Sequence, residues 1–248
     1  MTKTYGKLAA RIYELDKPVG CSFGDVEFYL QRLETIAGAV LEPAVGNGRM
    51  LIPLAKAGHN VSGFDMSEDM LSLCSTACEK YQVTADLSRQ SLTEFDYEQQ
   101  FAAIVLPAGS FQLLKDTTQA MQFLQRCRKA LQHGGKLLLD ISVLNGLMDK
   151  HPLARHWHDG NDLLVLQEMH TETDFPNQMT TTHLRYELWR DAQLSATELE
   201  LFSLRWWGLF ELELALQKAG FSKITIFGDY SVEPWDSTSV RTFTFEAS

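Results

Sequence analysis

Two apolar runs that each end in an acidic residue constrain the fold of this 248-residue chain more than any other feature. The first run ends in Glu42 and leads into a loop with small residues at alternate positions, Ala44, Gly46 and Gly48. A helical pattern follows, and the second run ends in Asp65. This order predicts a strand, a tight loop, a helix and a second strand. The loop backbone is bare enough for a flat, ribose-bearing ligand to lie against it.

The loop lacks the glycine pattern of a dinucleotide site. Dinucleotide enzymes place Gly-x-Gly-x-x-Gly here because the pyrophosphate must touch the loop and the N-terminus of the helix. In this chain Leu51 stands where the third glycine would be. A carboxylate at Glu42 would also repel a phosphate, but it suits a cationic ligand such as an ammonium or a sulfonium. The residues therefore favour S-adenosylmethionine over NAD.

The second acid, Asp65, lies 23 positions after Glu42 at the end of the next predicted strand. A carboxylate there can accept hydrogen bonds from both hydroxyls of a ribose. Met66 follows it and could cover one face of an adenine. Each acid alone is also compatible with a helix cap or a plain strand end. Together, on either side of a small-residue loop, they indicate a ligand site.

Residues 39–142 resemble the core of a class I S-adenosylmethionine-dependent methyltransferase, and the segment from Leu41 to Arg49 is similar to the first motif of that family. The resemblance implies a seven-stranded sheet with the cofactor across the C-terminal ends of the strands. It also implies that Glu42 binds the ammonium group, often through water, Asp65 the ribose and Met66 the adenine. The methionine end would lie on a loop made of Pro43, Ala44, Gly46, Asn47 and Gly48.

Two further segments of the resemblance concern the adenine and the floor of the pocket. Relatives commonly have an acid and then an apolar residue against the adenine, where this chain has Ser91 and Leu92. Small residues at the tip of the fourth strand let a ligand approach closely, and relatives use this place as the pocket floor. A plain strand-to-helix turn is the alternative. The residues concerned are Pro107, Ala108, Gly109 and the nearby Phe111.

The order of elements predicts an α/β fold, a doubly wound seven-stranded mixed sheet with a small antiparallel β insertion. Residues 39–149 and 207–248 would form the core. Residues 150–206 contain three extended segments and would lie over the cofactor cleft, with a turn at residues 175–177. Residues 1–38 form a helical segment, and Tyr13 is the candidate through which it covers the cofactor. In the core, we expect a helix over 117–131 that Gly134 and Gly135 stop.

The methyl acceptor would lie against the insertion. Methyl transfer from a sulfonium is an in-line displacement that needs alignment and exclusion of water but no fixed catalytic triad. On the strand predicted over 179–189, His183 and Arg185 share one face and Tyr186 lies on the other. If the first face lines the pocket, His183 is the natural base and Arg185 would hold a carboxylate. If the second does, Tyr186 could hydrogen-bond the acceptor; Trp206 is a further candidate wall.

Composition excludes other classes of function. The formal charge of −10 argues against a nucleic-acid partner. The chain shows no signal peptide and no apolar run of the ~20 residues that span a bilayer, so we expect a cytoplasmic protein with no membrane partner. Its oligomeric state, monomer or homodimer, stays open. His151, His156 and His158 lack carboxylates at helical spacing, and we expect an exposed loop rather than a metal site there.

The sequence thus predicts S-adenosylmethionine-dependent methylation of a small molecule at a nitrogen or oxygen nucleophile, with S-adenosylhomocysteine as the product. Two alternatives stay open. One is other chemistry on the same fold, such as aminopropyl transfer from the decarboxylated cofactor. The other is a noncatalytic protein that binds the cofactor.

Overall fold

The computed structural model describes residues 5–143, 153–236 and 239–248. Helices occupy Lys7–Asp16 (α1), Asp25–Leu33 (α2), Leu51–Lys56 (α3), Glu68–Tyr81 (α4), Thr117–Ala130 (α5) and Leu209–Lys218 (α6), with a 3₁₀ helix at Ser110–Leu113. Strands occupy Ala39–Pro43 (β1), Asn60–Asp65 (β2), Ala85–Arg89 (β3), Phe101–Leu106 (β4), Leu131–Ser142 (β5), Ala154–Asp159 (β6), Asp162–Asp174 (β7), Met179–Arg190 (β8), Gln193–Arg205 (β9), Ile224–Gly228 (β10) and Thr242–Ala247 (β11). Within the described ranges, no helix combines the length and the apolar character that crossing a membrane requires.

Seven strands form one mixed sheet in the order β10-β11-β5-β4-β1-β2-β3. Strands β1 to β5 run parallel, and β11 joins the edge of β5 antiparallel. This confirms the predicted doubly wound, seven-stranded fold. The chain reverses its direction of winding between β1 and β4, and ligands of such sheets bind outside the carboxyl ends of the strands at that point. Glu42 therefore lies at the switch point.

A second sheet holds four antiparallel strands in the order β6-β7-β8-β9, which confirms the predicted antiparallel insertion. The prediction missed β6. His156 and His158 lie on this strand, paired with Val165 and Leu163 of β7, and not on an exposed loop. His151 lies outside the described residues. In the described part of the chain, no three His, Cys, Asp or Glu side chains are grouped so that they could hold a metal ion.

The end of α5 differs from the prediction. The helix stops at Ala130, and Gly134 and Gly135 lie inside β5 instead of ending the helix. The pairing of β5 with β4 shifts register here, from Phe101 opposite Leu131 to Ala103 opposite Lys136. A Cβ atom on Gly135 would lie 3.0–3.1 Å from three backbone carbonyl oxygens. Gly135 therefore allows β4 and β5 to approach closely, because it has no side chain. In the sequence alone, a glycine at this place after a helical pattern also predicts the end of a helix.

Asp140 connects several parts of the core at the end of β5. Its buried carboxylate accepts hydrogen bonds from the hydroxyls of Tyr29 (2.8 Å), Tyr230 (3.0 Å) and Thr244 (2.7 Å) and from the amide of Ala108 (2.9 Å). Burial raises the pKa of Asp140 to about 6 even though all four donors favour the charged form.

We expect Asp140 to make folding less favourable as the pH rises. Because its pKa is about 6 when folded against 3.8 as the reference, its contribution is fully present below the lower value. That contribution is lost as the pH passes through the higher one. Urea unfolding of the wild type and Asp140→Asn across this range should show the difference between their unfolding free energies falling by about 3 kcal/mol. Parallel pH profiles for the two proteins would contradict the assignment.

Candidate active site

Two cavities adjoin at the C-terminal ends of the core strands. The strand-end cavity, of about 270 Å³, lies against the loop after β1 and the end of β2. The insertion cavity, of about 340 Å³, lies between α1 and one face of the second sheet. Tyr5, Tyr13 and Phe202 line both cavities. These three aromatic side chains are thus the boundary between the two spaces.

The strand-end cavity brings together many of the predicted cofactor residues. Its lining includes Tyr13, Ala44, Gly46, Asp65, Met66, Ser91 and Leu92. Other predicted residues are not part of the described lining of either cavity: Glu42, Pro43, Asn47, Gly48, Pro107, Ala108 and Gly109. Apart from the exposed Ala108, the residues of this second group are buried.

Asp65 shapes the loop as well as the cavity wall. One carboxylate oxygen accepts the amide of Gly46 at 3.0 Å and the other accepts the amide of Ser67 at 2.8 Å. Ala44, Gly46 and Gly48 all have positive φ angles. A Cβ atom on Gly48 would lie only 2.9 Å from the sulfur of Cys74. The small residues are therefore required by a left-handed turn that packs closely on α4.

Glu42 has an unused hydrogen-bonding atom. The side chain is only 4% exposed, and its Oε2 atom has no hydrogen-bond partner. Burial raises the pKa of Glu42 well above its usual value, while the positive charge of Arg49 acts in the opposite direction. A buried carboxylate oxygen without a donor is costly, and an ammonium group, directly or through a water, would satisfy it.

Asn47 holds α1 in place over the loop. Its buried amide donates to the carboxylate of Glu14 at 2.6 Å and to the backbone oxygen of Lys17 at 2.9 Å. At the other end of α1, Glu198 of β9 accepts the backbone amide of Leu8 at 3.0 Å, which caps the helix N-terminus. Helix α1 is thus fixed both to the core and to the insertion.

The face of β8 that lines the insertion cavity carries Tyr186. Thr180, Thr182 and Leu184 line the cavity with it, at alternate positions of the strand. His183 and Arg185 lie on the opposite face. The alternative in which they act as base and carboxylate anchor is therefore not retained.

On the opposite face of β8, polar side chains contact one another. His183 Nε2 lies 3.8 Å from a carboxylate oxygen of Glu172, and Arg185 forms an ion pair with Glu187 at 2.6 Å. Neither side chain belongs to the lining of the insertion cavity. Arg185 is partly exposed, whereas the carboxylate of Glu187 is buried.

Two predicted substrate residues lie elsewhere. Phe111 is fully buried in the core, with its ring 5.1 Å from that of Trp207. Trp206 packs edge-on against Phe175 at 6.1 Å. Neither lines a described cavity, although Ser110, next to Phe111, lines the strand-end cavity. Ser110, and not Phe111, therefore brings this segment to the strand-end cavity.

Sequence reasoning missed Glu200. This glutamate is 4% exposed and accepts the hydroxyl of Tyr186 at 2.9 Å and the backbone amide of Tyr5 at 3.3 Å. Burial raises the pKa of Glu200, while its hydrogen bonds lower it. Residues alternate between the two faces of β9, so Glu200 lies on the same face as Phe202. Once β9 is paired with β8, this alternation indicates that Glu200 lies near Tyr186.

Comparison with known proteins finds methyltransferases that share this domain or this fold. Residues 40–135 match the methyltransferase domain family. A putative methyltransferase of Geobacillus is 30% identical over 105 residues, which is 42% of each chain. An S-adenosylmethionine-dependent methyltransferase of Clostridium acetobutylicum superimposes with a TM-score of 0.78 at 15% identity, over 96% of both chains. The sugar N-methyltransferase KedS8 of Streptoalloteichus does so with 0.76 at 18%, over 99% of this chain and 96% of that one.

Residues 40–135 thus match a methyltransferase domain, and the fold is that of S-adenosylmethionine-dependent methyltransferases, whose cofactor is S-adenosylmethionine. The residues present fit that cofactor. Asp65 offers a carboxylate on the wall of the strand-end cavity, and Glu42 offers an orphaned one behind it.

Proposed function

We propose that this protein methylates a nitrogen or oxygen nucleophile of a small molecule that binds in the insertion cavity. The proposal is carried by the two adjoining cavities, which share Tyr5, Tyr13 and Phe202 as lining residues. When bound, S-adenosylmethionine supplies an electrophilic methyl group. The protein would align the cofactor and the methyl acceptor across the aromatic boundary and exclude water from it.

The strand-end cavity would hold the cofactor, and each of its residues would contact a different part of it. Asp65 would accept the ribose hydroxyls, and the bare backbone at Ala44 and Gly46 would contact the methionine end. Met66 and Leu92 would cover the adenine. The hydroxyl of Ser91 lies 3.1 Å from that of Thr93, so a polar pair stands where relatives carry an acid. Glu42 would bind the ammonium through water.

On the acceptor side, Tyr186 is the group we assign to hydrogen bonding. Its hydroxyl donates to Glu200 at 2.9 Å, which leaves the lone pairs of its oxygen free to accept an N–H or O–H of the acceptor. Tyr186 would thereby orient the nucleophile. A structural neighbour with the same fold carries the name sugar N-methyltransferase, which supports nitrogen as the nucleophile.

Thermal unfolding with four ligands tests the cofactor class. We expect S-adenosylmethionine and S-adenosylhomocysteine to raise the unfolding temperature, because a ligand at about 100 times its Kd stabilises the folded state by about 2.7 kcal/mol. NAD should have no effect, since the loop lacks a pyrophosphate site. The decarboxylated cofactor should stabilise less than S-adenosylmethionine. Preference for it would favour aminopropyl transfer, and stabilisation by NAD alone would refute the proposed function.

A second measurement separates an enzyme from a protein that only binds the cofactor. Incubation with S-adenosylmethionine and a panel of small amines and alcohols should release S-adenosylhomocysteine in an acceptor-dependent manner. Binding without any turnover over such a panel would favour the noncatalytic alternative.

A further inference from the structure

The insertion cavity contains two cationic side chains whose hydrogen-bond donors are not fully used. Lys17, directly after α1, and Arg155, on β6, both line it. They come from segments 138 positions apart in the sequence and meet because α1 packs across the second sheet. Neither was singled out by the sequence pattern.

Arg155 is held firmly but is only partly satisfied. Its Nη1 atom donates to both carboxylate oxygens of Asp16, at 3.0 and 2.9 Å, and its guanidinium lies 5.2 Å from the centre of the Trp157 ring. Its Nε atom is buried and has no hydrogen-bond partner. A buried donor without an acceptor costs about 1–3 kcal/mol. Asp16 therefore does not use all the donors of the guanidinium, and the Arg155 side chain is still 41% exposed.

Lys17 lacks an anionic partner. In the described part of the chain, no carboxylate lies within the 4.0 Å of an ion pair from its ammonium. The ammonium lies 5.3 Å from the ring centre of Tyr13. Burial lowers the pKa of Lys17, Asp16 raises it, and the positive charges of Arg49 and Arg155 lower it further. An anion bound here would relieve the repulsion between these cations.

Three acids lie in or near the insertion cavity, and Asp16 and Glu168 line it. Asp16 is already engaged by Arg155. Glu200 accepts Tyr186 and the amide of Tyr5. Glu168 lies on β7, opposite Leu184 of β8, in the same cross-strand row as Glu200. Glu168 and Glu200 therefore share one row of the sheet, whereas Asp16 lies at the end of α1 beside the two cations.

We propose that Lys17 and Arg155 form a subsite for a carboxylate carried by the methyl acceptor. The inference rests on the proposed function, because it takes the insertion cavity as the acceptor site. Both side chains line the same cavity, so a carboxylate bound there can accept from the Arg155 guanidinium and the Lys17 ammonium at once. Tyr13 lines both cavities, so a carboxylate beside Lys17 would lie close to the aromatic boundary where the nucleophile must reach the cofactor. The acceptor class is thus an amine with a nearby carboxylate.

Matched ligands and matched variants test this subsite. Binding of the protein amino acids, and of the corresponding carboxamides, is measured by calorimetry on protein saturated with S-adenosylhomocysteine. We expect at least one acid to bind more than tenfold tighter than its own amide, which differs in charge. Lys17→Gln should weaken binding of that acid more than tenfold and of the amide less than twofold. Lys7→Gln removes the same charge from an exposed position of α1 and should change neither.

Each result decides one question. Equal binding of acid and amide, absence of binding by every acid at millimolar concentration, or an unchanged acid affinity in Lys17→Gln would overturn the carboxylate subsite. Binding of S-adenosylhomocysteine to wild type and Lys17→Gln is measured separately. If wild type does not bind it, the proposed function itself fails; if both proteins bind it, only the subsite is in question.

Discussion

Replacement of Asp65 by alanine is expected to weaken binding of S-adenosylhomocysteine at least a hundredfold. In the proposed complex the carboxylate accepts two ribose hydroxyls, and hydrogen bonds to a charged group contribute about 1.5–3 kcal/mol each. Asp65 also accepts the amides of Gly46 and Ser67, so its removal loosens the loop that holds the methionine end. Both effects lower affinity, and calorimetry measures their sum.

The control for this variant lies three positions further along the chain. Glu68→Gln removes the same charge from an exposed side chain whose only described ion pair is with the exposed Arg89. It should leave the affinity within about twofold, since exposed pairs contribute little. Asp65→Asn should fall between the two, because an amide oxygen still accepts a hydrogen bond. If Asp65→Ala stays folded, as judged by circular dichroism, and binds normally, the ribose assignment is wrong.

The core was predictable because its signals are local. Glu42 and Asp65 each follow an apolar run, and parallel pairing of β1 with β2 brings the two strand ends side by side without further information. The alternation of strands and helices fixed the class of fold for the same reason. Within the core, the predicted ends of helices and strands differ from the observed ones. At Gly135, for example, a contact between two strands decides the structure.

The acceptor side was not predictable to the same degree because its contacts join distant segments. The helix cap of α1 is Glu198, about 190 residues away, and Arg155 pairs with Asp16 across 139 positions. Alternation along β8 gave two faces but not which one meets α1. That choice depends on packing of α1 against Tyr186 and its neighbours, which no local pattern encodes. Glu200 was missed for the same reason.

Substitution of Asp25 by alanine is expected to destabilise the fold by about 3–5 kcal/mol, because it leaves a buried guanidinium without its counter-charge. Asp25 is 1% exposed and Arg49 4%, and the two are joined by two hydrogen bonds between α2 and the start of α3. Burial alone would raise the pKa of Asp25, but the hydrogen bond and charge of Arg49 bring it below its usual value. The stabilisation is therefore present above the unfolded pKa and lost as the pH falls through the folded one.

Urea unfolding of a double-mutant cycle isolates this pair. Arg49→Met alone also removes the backbone contact to Cys21 and should be destabilising, whereas Asp25→Ala combined with Arg49→Met should cost clearly less than the sum of the single changes. The double variant buries no lone charge, and replacing a buried ion pair by apolar groups is often nearly neutral. Glu27→Ala, on an exposed position of the same helix, should cost less than about 0.5 kcal/mol. Strict additivity would mean that Asp25 and Arg49 act independently, and the observed geometry would then have no energetic consequence.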